Sequence, residues 1–168
     1  QNDKYKKARF VFAPDLTSVP KYGFKGFKFL KHAILPKVQE LGEESFNGCG
    51  CLQIAFMPLV QKIGMYCFYD CSSLSKLCFG QLIELGYGAL RDSLLYFFDC
   101  SKIKKVGADC FYMVNSLIIG KQTDIEKQKS YARFFNVCDK RKNVWPLLPN
   151  HEEINFCSKE VLPRIGQK

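Results

Sequence analysis

The residues with the most evident chemical potential are two cysteines separated by one glycine, Cys49 and Cys51, in the segment FNGCGCL at 46–52. Thiols at such close spacing can bind a metal ion or form a redox pair. A second segment, FYDCSSL at 68–74, repeats phenylalanine, cysteine and leucine at the same relative positions, with Cys71 in place of Cys49. A fixed period is typical of repeat architectures, so the thiols also have a structural explanation.

Other groups that metal or nucleophilic sites require are scarce in this chain. There are nine cysteines but two histidines, His32 and His151, and the Cys-x-Cys pair lacks a second pair at zinc-finger spacing. A pairing of Cys78 with His32 has no recognisable orienting carboxylate or oxyanion donor. The sequence also lacks a G-x-x-x-x-G-K-[ST] phosphate loop. We therefore predict no catalytic residue, no metal site and no cofactor.

Composition sets further bounds on the chain. Its 168 residues are 47% hydrophobic and 14% aromatic, which supports a sizeable core and argues against wholesale disorder. No apolar run approaches the roughly 18 residues that a membrane-spanning helix needs. The opening QNDKYKKARF has no hydrophobic segment of a signal peptide, so we expect any such peptide to be absent or already removed.

The net charge of +9 favours anionic partners in principle. Much of the excess falls early, at Lys4, Lys6, Lys7, Arg9, Lys21, Lys25, Lys28 and Lys31. These side chains are scattered without a nucleic-acid motif, so a solvated basic face is the favoured interpretation. Aromatics between the lysines of KYGFKGFKFLKH (21–32) leave a nucleic-acid or anionic-surface binder as the alternative.

The period becomes visible when the chain is written in rows of about 22 residues. The rows begin at Ala8, Leu30, Leu52, Leu74, Leu95 and Leu117, with one residue missing between Leu90 and Leu95. Alternation predicts a strand in which the third and fifth positions after each row start point inward. The next columns hold a turn residue (Pro20, Gly42, Gly64, Gly86, Gly107) and an aromatic or leucine (Phe24, Phe46, Phe68, Leu90, Phe111). The repeated glycine predicts a backbone angle φ above zero.

The combined pattern, L-x-x-(I/A/L)-x-(L/M/F)-P followed by V-x-x-(L/I)-G-x-x-(small)-F-x-x-C, resembles the BspA-like class of leucine-rich repeats. This resemblance is clear over residues 30–120 and reaches back to about residue 8. It implies a β-rich, right-handed solenoid with a parallel strand ladder, and turns and short helical segments on the other side. We divide the chain into an N-terminal extension (1–7), a repeat array (8–120) and a degenerate repeat or capping region (121–168). A linker to a further domain is the rival interpretation of the last segment.

The repeat explains the cysteines without chemistry. Cys49 and Cys71 share a column with phenylalanine, serine and valine, so the position requires modest volume and little polarity. We therefore predict buried packing and free thiols. A bridge between these two is geometrically conceivable because stacked strands are about 4.8 Å apart.

The second and fourth positions after each row start should point outward and offer a binding face. We predict this candidate site to include Phe10, Phe12, His32, Ile34, Ile54, Phe56, Lys76 and Phe97. Apolar patches of this kind usually mark interaction sites. The predicted function is a non-catalytic protein-binding module with a protein partner. Nucleic acid is the less favoured ligand.

The family resemblance implies adhesion at a cell surface, to host or matrix proteins. Free cysteines and the missing signal peptide favour a reducing cytoplasm instead, so the compartment stays open between the two.

Overall fold

The computed structural model describes residues 3–95, 97–99, 102–114, 117–119 and 133–135. The chain separates into two compact units, residues 1–137 and residues 138–168. The second unit lies outside the described residues. So does the predicted capping region from 121 onward, apart from one strand, and its role stays a prediction.

Two parallel ladders run along the first unit. Ladder A pairs three-residue strands that come from the row starts: β1 (Phe10–Phe12), β3 (His32–Ile34), β5 (Ile54–Phe56) and β7 (Lys76–Cys78). Ladder B pairs two-residue strands: β2 (Ser18–Val19), β4 (Glu40–Leu41), β6 (Lys62–Ile63), β8 (Glu84–Leu85) and β10 (Lys105–Val106). Each of the first four coils supplies one strand to each ladder, which confirms the predicted solenoid.

The register confirms the period over the first four coils. Phe10 pairs with His32, and His32 pairs with Ile54, so each partner lies one full row further along the chain. In ladder B, Glu84 pairs with Lys105, a step that is shorter by one residue than the step from Lys62 to Glu84. The residue missing between Leu90 and Leu95 predicts this shorter step.

A third sheet is formed by β9 (Phe97–Asp99), β11 (Leu117–Ile119) and β12 (Arg133–Phe135). Here Phe97 pairs with Leu117, which falls short of a full row by two positions. The predicted full-row step, which would align Phe97 with Ile119, is wrong. A shift by two positions keeps every side chain on the same face of the strand, so hydrophobic alternation cannot distinguish the two registers.

The predicted short helical segments on the other side of the coil are not formed in the described residues. The one helix there is a 3-10 helix, η1 (Asp3–Lys7), at the N-terminal end. The backbone instead alternates its hydrogen bonds: the amide of Phe24 donates to Ser45 O of the next coil (2.7 Å), and the amide of Lys25 donates to Tyr22 O within the same turn (3.1 Å). Because every second amide reaches the next coil, a continuous helical ladder cannot form.

Two left-handed residues, four positions apart, bend each of these turn segments. They form the pairs Tyr22 and Gly26, Glu44 and Gly48, Tyr66 and Asp70, Gly88 and Asp92, and Asp109 and Met113. Seven of the ten carry a side chain, although this conformation costs such residues roughly 1–2 kcal/mol. The inter-coil hydrogen bonds therefore hold the turns in shape.

The repeated glycine column has another cause than the predicted positive φ, which its glycines do not adopt. A Cβ atom on Gly64 would lie 2.6 Å from Glu43 N and 2.6 Å from the carbonyl carbon of Gly42. Gly42, Gly86 and Gly107 are crowded in the same way by the preceding coil. Glycine is required because the coil backbones touch here, and Pro20 is tolerated because it stands in the first coil.

The core fills the space between the ladders and the turns. The residues predicted to point inward, Ala33, Leu35, Ala55 and Met57, are fully buried. An aromatic stack runs along the axis, with ring centroids 5.0 Å apart for Phe24 and Phe46 and 5.2 Å apart for Phe46 and Phe68. Through this stack, the rings of neighbouring coils contact one another.

Candidate protein-interaction surface

The outer face of ladder A is oriented as the sequence predicts. The central strand residues Val11, Ala33, Ala55 and Leu77 pack against the core. The residues on either side of each must therefore point to the opposite face. Phe10, His32, Ile54 and Lys76 form one outward column, and Phe12, Ile34, Phe56 and Cys78 form the other.

The exposure of this face is smaller than predicted. Phe10 is 51% exposed and Phe12 42%, but Ile34 and Phe56 are buried at 6% and 4%. Both buried residues have stacked neighbours on either side in their column, whereas Phe12 at the end has a neighbour on one side only. The prediction that Ile34 and Phe56 are exposed is therefore wrong.

The remaining candidate residues form a smaller patch. His32 and Ile54 are half-buried, Lys76 is exposed, and the rings of Phe10 and His32 meet edge to face at 6.4 Å. The side chain of Phe97 lies outside the described part of the chain. We call Phe10, Phe12, His32 and Ile54 the N-terminal patch; its role in binding stays a prediction.

The cysteines pack as predicted and differ sharply within the Cys-x-Cys pair. Cys49 is fully buried in the core, while Cys51 is exposed, so the two thiols lie in opposite environments. Cys71 is also buried, and both Cys49 and Cys71 are free thiols. Each donates to a carbonyl about one coil earlier: Cys49 Sγ to Phe24 O at 3.1 Å, and Cys71 Sγ to Phe46 O at 3.2 Å. The column thus also uses the weak thiol donor, which the sequence pattern did not reveal.

Burial makes these thiols chemically inert. It raises the pKa of Cys49 and Cys67 to about 12 and that of Cys110 to about 11, because the apolar core disfavours the charged thiolate. A protonated thiol is a poor nucleophile and metal ligand. One strand cysteine departs from simple packing, because Cys78 is half-buried and disulfide-bonded.

Within the described ranges, no three His, Cys, Asp or Glu side chains come close enough together to hold a metal ion. A search of the same ranges finds no helix with the length and apolar character needed to cross a membrane.

Ladder B presents a charged column to solvent. Its first strand positions alternate in sign from coil to coil, in the order Glu40, Lys62, Glu84, Lys105. Lys62 lies 3.6 Å from Glu40, and Lys105 lies 2.6 Å from Glu84, whose pKa is lowered by that hydrogen bond. A shallow groove follows this column over the glycines. Exposed pairs of this kind contribute little to stability.

The turn side carries an aromatic cluster that the sequence prediction missed. Tyr69, Arg91 and Tyr112 occupy one column, and the Arg91 guanidinium lies 4.4 Å from the Tyr112 ring centre and 5.9 Å from that of Tyr69. Tyr66 packs beside Tyr69, with ring centroids 5.8 Å apart. The spacing of one row between successive members would have identified this column had the turn positions been aligned as the strands were.

Two phenylalanines of the basic aromatic segment 21–32 pack in the protein interior. Phe24 and Phe27 lie against the core and contact each other edge to face at 5.5 Å. Leu30 is fully buried, and Phe29 is the segment's exposed phenylalanine. The rings of Phe24 and Phe27 are therefore poorly placed to stack nucleic-acid bases.

Parallel ladders, a stacked aromatic column and glycine contacts between coils define a leucine-rich repeat solenoid. The model of the family described as "BspA type Leucine rich repeat region" matches residues 3–118 in six copies. The chain therefore belongs to the BspA-type leucine-rich repeat family, as its sequence pattern indicates. No curated protein matches the sequence.

Three solved structures share this fold. The leucine-rich repeat protein of T. pallidum is 20% identical with a TM-score of 0.61, over 67% of this chain and 59% of that one. One from Bacteroides ovatus is 22% identical with a TM-score of 0.56, over 62% of this chain and 29% of that one. The pneumococcal vaccine antigen PcpA is 18% identical with a TM-score of 0.57, over 68% of this chain and 35% of that one. The chain thus spans less than two thirds of each of them, and at these identities the likeness concerns the fold alone.

Proposed function

We propose that this chain is a non-catalytic protein-binding module that uses the N-terminal patch on the outer face of ladder A. The observation that carries the proposal is the pair of exposed aromatic rings, Phe10 at 51% and Phe12 at 42%, on a regular sheet face. Large aromatic side chains are the residues that most often dominate the energy of protein interfaces.

Two features support binding over catalysis. The four core thiols are buried and protonated, which removes them as nucleophiles. Solenoids of stacked coils present extended surfaces that suit protein partners. The family resemblance extends the proposal to adhesion, with a host or matrix protein as the partner.

The test is surface plasmon resonance of the purified chain against immobilised matrix proteins: fibronectin, laminin and collagen. We expect binding to at least one, and a loss of about tenfold in affinity, the effect of about 1.4 kcal/mol, on Ile54→Ser. Ile54 is half-buried within the ladder, so circular dichroism must show that the variant folds. The matched control is Met113→Ser, because Met113 is 53% exposed and lies in a turn segment.

Equal affinities of Ile54→Ser and Met113→Ser would refute the role of the face. Absence of binding to the whole panel would refute the adhesion proposal. A steep, salt-dependent affinity for a single-stranded oligonucleotide would favour the anionic-ligand alternative instead.

A further inference from the structure

The N-terminal end of ladder B is closed by proline. In later coils the residue at this position donates its amide to the preceding coil, as Gly42 N does to Val19 O and Gly64 N to Leu41 O, both at 2.8 Å. Pro20 has no amide hydrogen, and its ring would occupy space that the glycines must leave empty. A further coil of the same geometry therefore cannot stack in register on the first one.

Ladder A differs at the same end, because β1 is an edge strand within the part of the chain that the structure describes. Its one neighbour among the described strands is β3. Ala13 N donates to Ile34 O at 3.2 Å, and Arg9 O accepts from Lys31 N at 2.8 Å. The backbone N–H and C=O groups of the odd-numbered residues therefore point toward β3. Since backbone groups alternate along a strand, the N–H and C=O groups of Phe10 and Phe12 point away from β3. No described residue pairs with these groups, so they can take up one more strand.

The interior of the first coil is also incompletely covered. Five of its core side chains are half-buried, namely Val11, Ala13, Leu16, Phe24 and Phe27, whereas Val19 is buried. Their counterparts in the second coil are completely buried, namely Ala33, Leu35, Val38, Phe46 and Cys49. An added strand would bury apolar surface as well as pair backbone groups, which is the usual source of affinity in strand addition.

The basic side chains near β1 favour one kind of partner for this edge. Residues 5–31 contain seven Lys and Arg side chains and a single carboxylate, Asp15, which is itself paired with Lys37 at 2.8 Å. Lys21 and Lys25 pair with Glu43 and Glu44 of the next coil, while Lys7, Arg9, Lys28 and Lys31 are exposed. A second copy that approached with the same end would oppose two basic surfaces, whereas an acidic segment would be attracted.

We propose that the β1 edge binds an extended peptide in which apolar and acidic residues alternate, as an added strand of ladder A. The inference rests on the proposed protein-binding function. It adds that the partner at the end of the array is an acidic, extended peptide. The two can fail separately, because Ile54 lies two strands away from the edge.

The experiment is fluorescence anisotropy of the full chain with a labelled, end-capped peptide of seven alternating Glu and Val residues. Two control peptides are used: the same sequence with Lys in place of Glu, and the Glu peptide N-methylated at two adjacent central residues, which interrupts both hydrogen-bonding edges. We expect the Glu peptide to bind at least about tenfold more tightly than either control.

Two variants at one position separate backbone pairing from aromatic contact. Phe12→Ala and Phe12→Pro both remove the ring, but Pro also removes the edge amide, and edge strands tolerate proline there. We expect Phe12→Pro to bind the Glu peptide several-fold more weakly than Phe12→Ala, with both variants folded by circular dichroism. Met113→Ser, whose exposed side chain lies in a turn segment, should leave peptide binding unchanged.

Equal binding of the Glu peptide and the N-methylated peptide would overturn strand addition, whatever the variants do. Equal binding of the Glu and Lys peptides would overturn the acidic specificity. Tighter binding of an oligothymidylate than of the Glu peptide, or dimerisation of the chain alone that Phe12→Pro abolishes, would assign the edge to another occupant and overturn the proposal.

Discussion

Gly64→Ala tests the contact between coil backbones most directly. The added Cβ atom would lie 2.6 Å from Glu43 N, 2.6 Å from Gly42 C and 2.9 Å from Gly42 O. Ordinary contact between such atoms is about 3.5 Å, so the two coils must separate locally by about 0.9 Å. The hydrogen bond from Gly64 N to Leu41 O, now 2.8 Å, would then exceed its normal range.

The expected cost follows from these two effects. Overpacking in a dense interior costs typically about 1–3 kcal/mol. The lost hydrogen bond adds about 0.5–1.5 kcal/mol. We expect the free energy of unfolding to fall by about 2–4 kcal/mol, and Tm by roughly 5–15 °C for a chain of this size.

The assay is thermal and urea unfolding, followed by circular dichroism. The matched control is Gly50→Ala, where the nearest atom to the new Cβ is Ser72 Oγ at 3.6 Å, an ordinary contact. We expect the control to change stability by less than about 0.5 kcal/mol. If Gly64→Ala and Gly50→Ala unfold together, the backbones do not touch as described and the explanation of the glycine column is wrong.

Three further outcomes are expected, each by the same unfolding assay. Gly48→Ala should cost about 1 kcal/mol through conformation alone, because Gly48 has φ +70° and its nearest neighbour for a Cβ is 3.9 Å away; no cost would contradict the left-handed turn. Phe46→Ala should cost about 3–5 kcal/mol, because the ring stacks between Phe24 and Phe68, and a loss below about 1 kcal/mol would disprove the stack. The pKa of Cys67, raised by burial from 9.0 to about 12, means that its protonated thiol stabilises the fold fully below pH 9 and that this contribution is lost as pH rises toward 12. Stability should therefore fall less between pH 8 and 10.5 in Cys67→Ala than in the parent chain, and parallel curves would contradict the burial effect.

The repeat and its columns could be predicted from the sequence because each column has a single physical demand. Inward strand positions such as Ala33 and Met57 must be apolar, and this requirement recurs in every row. The glycine column was located correctly, but its cause was not, since close approach of two backbones and a positive φ both select glycine. Contact distances at Gly64 decide between them.

The candidate site was harder to predict than the fold. Alternation assigns Ile34 and Phe12 to the same face, yet one is buried and the other exposed. Phe12 stands at the end of its column and Ile34 inside it, and a pattern along one strand does not contain that information. The alternating hydrogen bonds of the turns were likewise invisible, because they join residues such as Phe24 and Ser45 that carry no special side-chain signature.

The nearest-neighbour hydrogen bonds have a mechanical consequence. Successive strands of ladder A and successive rings of the phenylalanine stack are tied one row apart, so each coil is held by the coils beside it. Under tension, such a chain would release whole coils one after another from an end, starting with the least covered one. Each release would free about 22 residues, a gain in contour length of roughly 75 Å at full extension. A protein built in this way yields to a pulling force in equal steps and can shed its outermost coil while the remaining coils stay folded.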